Sequence, residues 1–397
     1  YSISYAKATI ESYTGTEKNI VIPQTIEGVP VTVIGQDAFR GNGTIESVVI
    51  PEGVTYIGYY AFYNCLNLKE TTIPSTVTGI GYDAFYNCQS LKNVNILDLS
   101  AWCTIQHAGG KSNPIYYTES FNLNGNKITD LIIPDDVIKI EESAFAGYKA
   151  LTSVEIPGTV EYIYRYAFSN CESLLSVSIA DGVTEIRTGA FSSCTNLSEI
   201  TLPNSIEVIG ESAFYGTAYY NDSSNWEDGL IYIGNHLIHS DTNIEGNIQI
   251  KPGTVTIADK VFYRHYDIEN IVIPEGLKHI GSDAFESCNS LKNIYIPSSV
   301  ETIPVSSFDY CPSSLIIYCY ANTKAHTFAA YNGFTYKFMC DEHDWQEATC
   351  TTLKTCCVCG LTEGSLIDHT YDNAYDPLCN KCGAERIINI DNKIIGA

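Results

Sequence analysis

The sequence predicts a repeat solenoid, mainly β with short helical or 3₁₀ turns, followed by a small cysteine-rich module. The first observation is a period of 23 residues, seen between Ala38-Phe39, Ala61-Phe62 and Ala84-Phe85. Apolar residues at constant offsets and a period in the twenties are typical of stacked turns that share a core. The pair is repeated, in some copies with Val or Ser before the Phe, at Ala144-Phe145, Ala167-Phe168, Ala190-Phe191, Ala213-Phe214, Val261-Phe262, Ala284-Phe285 and Ser307-Phe308. Ten copies predict about ten turns.

The second observation is a short alternating strand in each unit. Alternation places Thr71 and Ile73 in the core and leaves Glu70 and Thr72 on the exposed face of a sheet. Pro74 ends this strand because it has no N–H to donate to a neighbouring strand.

A second extended segment, residues 77–80, precedes a predicted helical or 3₁₀ turn that buries Phe85. Burial of one such phenylalanine stabilises the fold by roughly 1.5–3 kcal/mol before its ordering entropy is counted. Repetition of this contribution in each turn explains why the turns stack.

Cysteines recur three residues after the phenylalanine in several units. Side chains at equivalent positions of stacked turns point in the same direction, which is unsuitable for a disulfide. We therefore interpret these cysteines as small buried hydrophobic residues. The set comprises Cys65, Cys88, Cys171, Cys194, Cys288 and Cys311.

The composition excludes some classes of partner. With 22 Lys+Arg against 46 Asp+Glu, the formal net charge is −24. Nucleic acids and anionic membranes attract basic patches, so neither is expected as a partner. No apolar run reaches the length of about 18 residues that spans a bilayer, so direct membrane insertion is not expected. The chain starts at Tyr1 and its only methionine is Met339, which predicts a removed signal peptide or an excised segment.

The third observation is a change of composition after residue 338. Cys356-x-x-Cys359 and Cys379-x-x-Cys382 are each followed by glycine and are separated by 19 residues. Two such knuckles suit one tetrahedral Zn²⁺ with four thiolates, which would be structural because no coordination position stays open. This segment resembles a zinc ribbon. Two alternatives stay open: His343 or His369 replaces one cysteine, or the cysteines form disulfides without metal.

These observations divide the chain into segments. Residues 321–338 are expected to close the stack with a short helix capped by Asn322 or Thr323 and a final strand. Two interruptions of the period are predicted to be irregular turns with longer loops, which either bind a partner or only adjust curvature. The predicted segments are an N-terminal cap (1–44), repeats (45–320) interrupted near 97–127 and 216–250, a C-terminal cap (321–338), the cysteine-rich module (339–386) and a tail (387–397).

The unit L-x-x-I-x-I-P-x-x-V-x-x-I-G-x-x-A-F-x-x-C resembles the BspA-like branch of the leucine-rich repeat superfamily, found on microbial cell surfaces. The segment from Ile273 to Cys288 matches this pattern nearly position by position. The resemblance covers about residues 20–338. It implies a right-handed leucine-rich repeat stack and a secreted or surface-displayed, adhesin-like protein.

No catalytic motif was found, since HExxH, GxSxG and the Walker phosphate-binding loop are absent from the sequence. The exposed strand positions are instead predicted to form two continuous columns of a binding face. Candidate binding residues in these columns are Glu70, Thr72, Asn93, Asn95, Asp130, Glu155, Glu199, Asn293 and Tyr295. Tyrosines at one position just after the phenylalanine either bind a partner or cover neighbouring turns; they are Tyr63, Tyr86, Tyr215 and Tyr263.

Three functions remain open from the sequence. The first is a non-enzymatic interaction protein that binds an extracellular protein or glycan of a host or neighbouring cell through the repeat face. The second is a structural spacer or stalk that presents other domains. The third is a carbohydrate-active enzyme built on a repeat platform.

Overall fold

The computed structural model describes residues 1–109 and 112–339 together with five short strands beyond them. Those strands are Trp345–Gln346, Lys354–Cys356, Thr362–Glu363, Ile387–Ile388 and Ile394–Gly396. The fold is a mainly β solenoid of about 14 turns, which confirms the predicted class. The structure has more turns than the ten phenylalanine pairs suggest, because the interruptions and the end of the stack contribute turns that lack the pair.

One side of the stack consists of three sheets, which together form the exposed sheet face. Their strands are parallel except for the Asn126–Lys127 hairpin arm. In hydrogen-bonded order the first sheet contains Asn126–Lys127, Ser120–Leu123, Asn93–Ile96, Glu70–Ile73, Ser47–Val49 and Asn19–Val21. The second contains Asp130–Ile132, Ser153–Ile156, Ser176–Ile179 and Glu199–Thr201. The third contains Gly246–Gln249, Ile268–Val272, Asn293–Tyr295, Ile316–Cys319 and Thr335–Phe338.

A second series of three sheets comes from the shorter extended segments of the turns. The first contains Ser2–Ser4, Lys7–Ile10, Val29–Ile34, Tyr56–Ile57, Gly79–Ile80 and Gln106–His107, with Thr25–Ile26 paired to Val29–Ile34. The second contains Lys139–Ile140, Tyr162–Ile163, Glu185–Ile186 and Val208–Ile209. The third contains Trp226–Glu227, Leu230–Ile233, His236–Ser240, Thr256–Ile257 and His279–Ile280.

Helices are few and short. The α-helices are Leu99–Cys103, Ala218–Asn221 and Lys324–Tyr331, and the 3₁₀ helices are Pro114–Tyr117, Ser223–Asn225 and Val305–Phe308. The predicted closing helix is confirmed at Lys324–Tyr331, where the Thr323 side chain accepts a hydrogen bond from the His326 N–H. The strand Thr335–Phe338 follows it, as expected.

The turn that buries Phe85 differs from the predicted helical or 3₁₀ geometry. Asp83 and Asn87 have positive φ angles of 53° and 59°, which a right-handed helix cannot accommodate. Some backbone N–H groups bond to the adjacent turn, as the Phe62 N–H does to the Ala84 carbonyl at 2.8 Å. Others donate within the turn, as the Ala84 N–H does to the Gly81 carbonyl at 3.1 Å. Hydrogen bonding is therefore divided between the turn itself and its neighbour in the stack.

Phenylalanine rings and cysteine thiols form the centre of the core. The rings of Phe39, Phe62 and Phe85 stack with centroids 4.9 and 5.0 Å apart. The Cys65 thiol donates to the Phe39 carbonyl at 3.0 Å, and Cys88 donates likewise to Phe62 at 3.1 Å. Among the residues with described side chains, the cysteines are free, in agreement with the predicted absence of a disulfide ladder.

The search for membrane spans finds no candidate helix among the described residues, since none is both long and apolar enough.

Candidate functional site

The first sheet brings four predicted binding residues together. Asn93 pairs with Glu70, and Asn95 pairs with Thr72, on neighbouring parallel strands. The Asn95 amide donates to the Glu70 carboxylate at 2.6 Å. The alternation predicted for this strand is confirmed, since Thr71 is buried between the two outward-facing residues.

The second sheet presents the carboxylates of the predicted set. Asp130 and Glu155 lie on adjacent strands, in neighbouring columns. Glu199 lies two strands beyond Glu155, and it pairs with Ser176 on the strand between them. The Ser153 hydroxyl donates to Asp130 at 2.6 Å. Hydrogen bonds from this hydroxyl and from neighbouring threonines lower the pKa of Asp130, so its charge persists under mildly acidic conditions.

The third sheet contains the remaining two predicted residues, Asn293 and Tyr295. Asn293 ends an amide ladder, donating to Asn270 at 2.7 Å, and Asn270 donates in turn to Asn247. The ladder fixes these side chains in one orientation on the face.

Tyr318 is the main residue of this face that the sequence analysis missed. Its ring stacks on Tyr295 with centroids 4.5 Å apart, and the Lys337 ammonium lies 5.8 Å from the Tyr318 centroid. Tyr318 follows Tyr295 at the repeat spacing of 23 residues, so the period itself contained the signal. The predicted columns end before the last turns, because these turns lack the glycine and the Ala-Phe pair of the regular unit.

The prediction that the exposed columns run without a break along the stack was wrong. The next partner of Asn93 is Ser120, not Asp130, and Ser120–Leu123 is followed by the hairpin arm Asn126–Lys127. The exposed sheet face is consequently divided into three sheets at the two interruptions. The sequence of the added strand, SFNL, alternates but lies inside the interruption near 97–127, where the 23-residue period is broken, so the predicted columns did not include it.

Two recesses open on this face beside the strand ends. One, of about 280 Å³, is lined by Ile132, Ile133, Asp135, Glu155, Ile156, Pro157, Ser178 and Ala180. The other, of about 210 Å³, is lined by Val272, Ile273, Glu275, Tyr295, Pro297, Tyr320 and Met339. The first combines apolar walls with two carboxylates and the second with one, and each includes one predicted binding residue.

The predicted tyrosine column lies on the turns after the phenylalanines and not on the sheet face. Tyr63 and Tyr86 stack on each other at 5.3 Å, and the Arg40 guanidinium lies 5.1 Å from the Tyr63 centroid. Tyr215 contacts Tyr220 at 5.1 Å, whereas Arg264 lies 4.9 Å from Tyr263. These tyrosines cover neighbouring turns and basic side chains.

The zinc prediction falls almost entirely outside the described residues. Cys359, Cys379, Cys382 and the alternates His343 and His369 lie outside them, and Cys356 is described only as the end of a backbone strand. Within the described part of the chain, no group of three or more His, Cys, Asp or Glu side chains could hold a metal ion.

Burial suppresses the reactivity of the Cys65 thiol and of the His107 and His236 imidazoles. Burial raises the pKa of Cys65 to about 12, so the reactive thiolate is scarce at neutral pH. Burial lowers the pKa of His107 to about 3 and that of His236 to about 4, so both stay neutral. These groups stabilise or fill the core and are not arranged as nucleophile and base.

Solved structures similar to this chain are bacterial repeat proteins. A leucine-rich repeat protein from Bacteroides ovatus ATCC 8483 is 23% identical with a TM-score of 0.42, covering 80% of this chain and 76% of that chain. A leucine rich cell surface protein from Faecalibacterium prausnitzii A2-165 is 23% identical with a TM-score of 0.33, covering 83% and 93%. Pneumococcal vaccine antigen PcpA is 16% identical with a TM-score of 0.35, covering 86% and 96%.

The search of curated proteins finds no match to this chain. The family comparison is decisive instead: six copies of the BspA type leucine rich repeat region match residues 12–104, 117–245 and 218–334. These segments include most of the solenoid and more than half of the chain. The chain therefore belongs to the BspA-type leucine-rich repeat family.

Proposed function

We propose that this chain is a non-enzymatic, secreted or surface-displayed recognition protein that binds an extracellular protein through the exposed sheet face. The observation that carries the proposal is the aromatic patch of Tyr295 and Tyr318 beside Lys337 and the 210 Å³ recess. Tyrosine and recessed apolar surface are typical of interface hot spots.

Charge supports a partner with a basic surface. Glu70, Asp130, Glu155 and Glu199 lie on the exposed sheet face, and the whole chain carries −24. Many of the lysines are already paired, such as Lys69 with Glu46 at 2.6 Å. Complementary charge increases the association rate, so added salt is expected to slow binding.

The test measures binding of the chain to a panel of soluble extracellular-matrix proteins, each in native and enzymatically deglycosylated form. We expect a binder whose affinity is independent of deglycosylation. Replacing Tyr295 and Tyr318 together by Ala should weaken binding by about 30-fold, the effect of removing a hot spot worth about 2 kcal/mol.

The matched control is Tyr310→Ala, because Tyr310 is 79% exposed but lies on a turn away from the sheet face. It should leave the affinity unchanged. Absence of binding across the panel would favour the spacer function, and loss of binding after deglycosylation would favour a glycan partner. Either result contradicts the proposal.

One structural zinc ion in the cysteine-rich module stays a prediction. Metal analysis of purified protein should find about one zinc per chain if Cys356, Cys359, Cys379 and Cys382 are its ligands. Absence of zinc together with no free thiol at these four positions would contradict it.

A further inference from the structure

The first interruption of the repeat forms one wall of a recess. The recess lies beside the turns that come directly after the phenylalanines in the sequence. Its volume is about 400 Å³, within the roughly 300–1,000 Å³ range of small-molecule sites. The lining residues are Tyr116, Thr118, Glu119, Gly147, Lys149, Asn170 and Glu172. The recess lies outside the strands of the exposed sheet face.

Hydrogen bonds hold the wall of this recess in place. Asn113 is fully buried, and its amide donates to the carbonyls of Ser143 and Ala144 at 2.7 and 2.9 Å. Its Oδ1 accepts from the Ile115 N–H at 3.0 Å and caps the 3₁₀ helix Pro114–Tyr117. The interruption is therefore attached to the next regular turn, and Tyr116 stands at a defined position beside it.

Tyr116 and Gly147 form a matched pair. A Cβ atom on Gly147 would lie 2.6 Å from the Tyr116 ring, which is too close for any side chain. Some turns have glycine at this left-handed position, as at Gly41 and Gly216, whereas others have asparagine, as at Asn64 and Asn170. Glycine at 147 therefore lets the tyrosine ring approach the turn backbone, and the ring becomes one wall of the recess.

The remaining lining offers both donors and acceptors with little net charge. The Lys149 ammonium lies 3.7 Å from Glu172, and Glu119 pairs with Lys92 at 3.1 Å. The carboxylates disfavour an anionic ligand, and Lys149 disfavours a cationic one. Together with the Asn170 amide they suit a ligand that carries many hydroxyl groups and no charge.

We propose that this recess binds an uncharged sugar residue of a glycan, with one face of the pyranose ring on Tyr116 and its hydroxyls on Asn170, Lys149 and Glu172. Sugar rings present C–H groups on one face, which pack on aromatic rings, and hydroxyls at the edge, which need both donors and acceptors. The recess provides these two features side by side. The site is separate from the sheet face and does not depend on the protein partner proposed for it.

The test uses the full chain on an array of uncharged hexose- and N-acetylhexosamine-terminated oligosaccharides, beside sialylated and sulfated counterparts. Calorimetric titration then measures the affinity for the best uncharged oligosaccharide. Tyr116→Ala should weaken binding by about tenfold through loss of ring contact. Glu172→Gln keeps the shape of this exposed side chain and should weaken binding by a similar factor, about tenfold, through a weaker acceptor.

Tyr331→Ala is the matched control, because Tyr331 is 88% exposed on the closing helix. It and the double Tyr295/Tyr318 variant should leave sugar binding unchanged, which separates this site from the sheet face. Binding of only anionic glycans, or of none, would overturn the proposal. So would unchanged affinity of Glu172→Gln, a variant that leaves the buried attachment of the interruption intact.

Discussion

At the residue scale, the cysteines have a role that spacing alone did not show. The spacing predicted small buried hydrophobic residues, and the structure adds that each thiol donates to the carbonyl of the phenylalanine 26 residues earlier. The Phe39 carbonyl also accepts from the Asn42 N–H of its own turn at 3.0 Å, so the Cys65 thiol is a second donor, supplied by the adjacent turn. Cysteine therefore joins successive turns without a covalent bond.

Replacement of Cys65 by Ala should destabilise the fold by about 1–2 kcal/mol, because it opens a small cavity and removes one of the two donors to the Phe39 carbonyl. Urea denaturation of the variant and the parent protein measures the difference. Non-reducing mass spectrometry should find no link between Cys65 and Cys88. A Cys65–Cys88 disulfide would refute this account.

His107 shows where the repeat departs from its own rule. It pairs with Ile80 at a position where the preceding turns place isoleucine, and neither ring nitrogen has a partner among the described residues. The sequence did not reveal this, because the register of the interruption was unknown. A buried, unpartnered imidazole stays neutral in the folded chain, whereas it binds a proton in the unfolded chain. The stability of the fold therefore depends on pH.

Stability should fall as the pH decreases below about 6.5, the ordinary pKa of histidine. The unfolded chain then binds protons that His107 and His236, with pKa values of about 3 and about 4, cannot bind when folded. Each such group lowers the free energy of unfolding by at most about 1.4 kcal/mol per pH unit. His107→Ile should flatten the dependence measured by denaturation between pH 7 and pH 4. An unchanged pH slope would show that His107 is not buried as a neutral group.

At the element scale, the sequence predicted where the period is interrupted but not the structures of the interruptions. The period showed where residues were added, yet nothing local indicated that Asn113 would bond to Ser143 and Ala144. Such contacts depend on the stacking of turns that are distant in sequence. Regular strands are different, because the alternation of Thr71, Thr72 and Ile73 determines their faces directly.

Asn113→Ala should loosen the first interruption and destabilise the protein by about 1–3 kcal/mol, since two buried carbonyls lose a donor. Hydrogen exchange should increase at Ile115 and Tyr116 more than in the regular turns. Asn196→Ala is a suitable control, because its amide donates to the Glu172 carbonyl on the exposed surface. Equal protection of residues 112–120 in both variants would contradict the attachment described here.

At the scale of the whole molecule, one column of turns carries two surfaces with different chemistry. The exposed sheet face carries carboxylates, amide ladders and the stacked tyrosines Tyr295 and Tyr318. The turns that follow the phenylalanines carry the recess beside Tyr116. Core positions specify the stack in any protein of this family, so the proposed recognition is assigned to the variable positions between them.

The most direct test of the proposed recognition through the sheet face is hydroxyl-radical footprinting of the chain, free and bound to a binder identified in the extracellular-matrix panel. Tyrosine side chains at an interface lose solvent contact and are oxidised more slowly. Binding through the sheet face should protect Tyr295 and Tyr318 and cause no change at Tyr63 and Tyr86. Protection of Tyr63 and Tyr86 alone, with Tyr295 and Tyr318 oxidised as in the free chain, would contradict it.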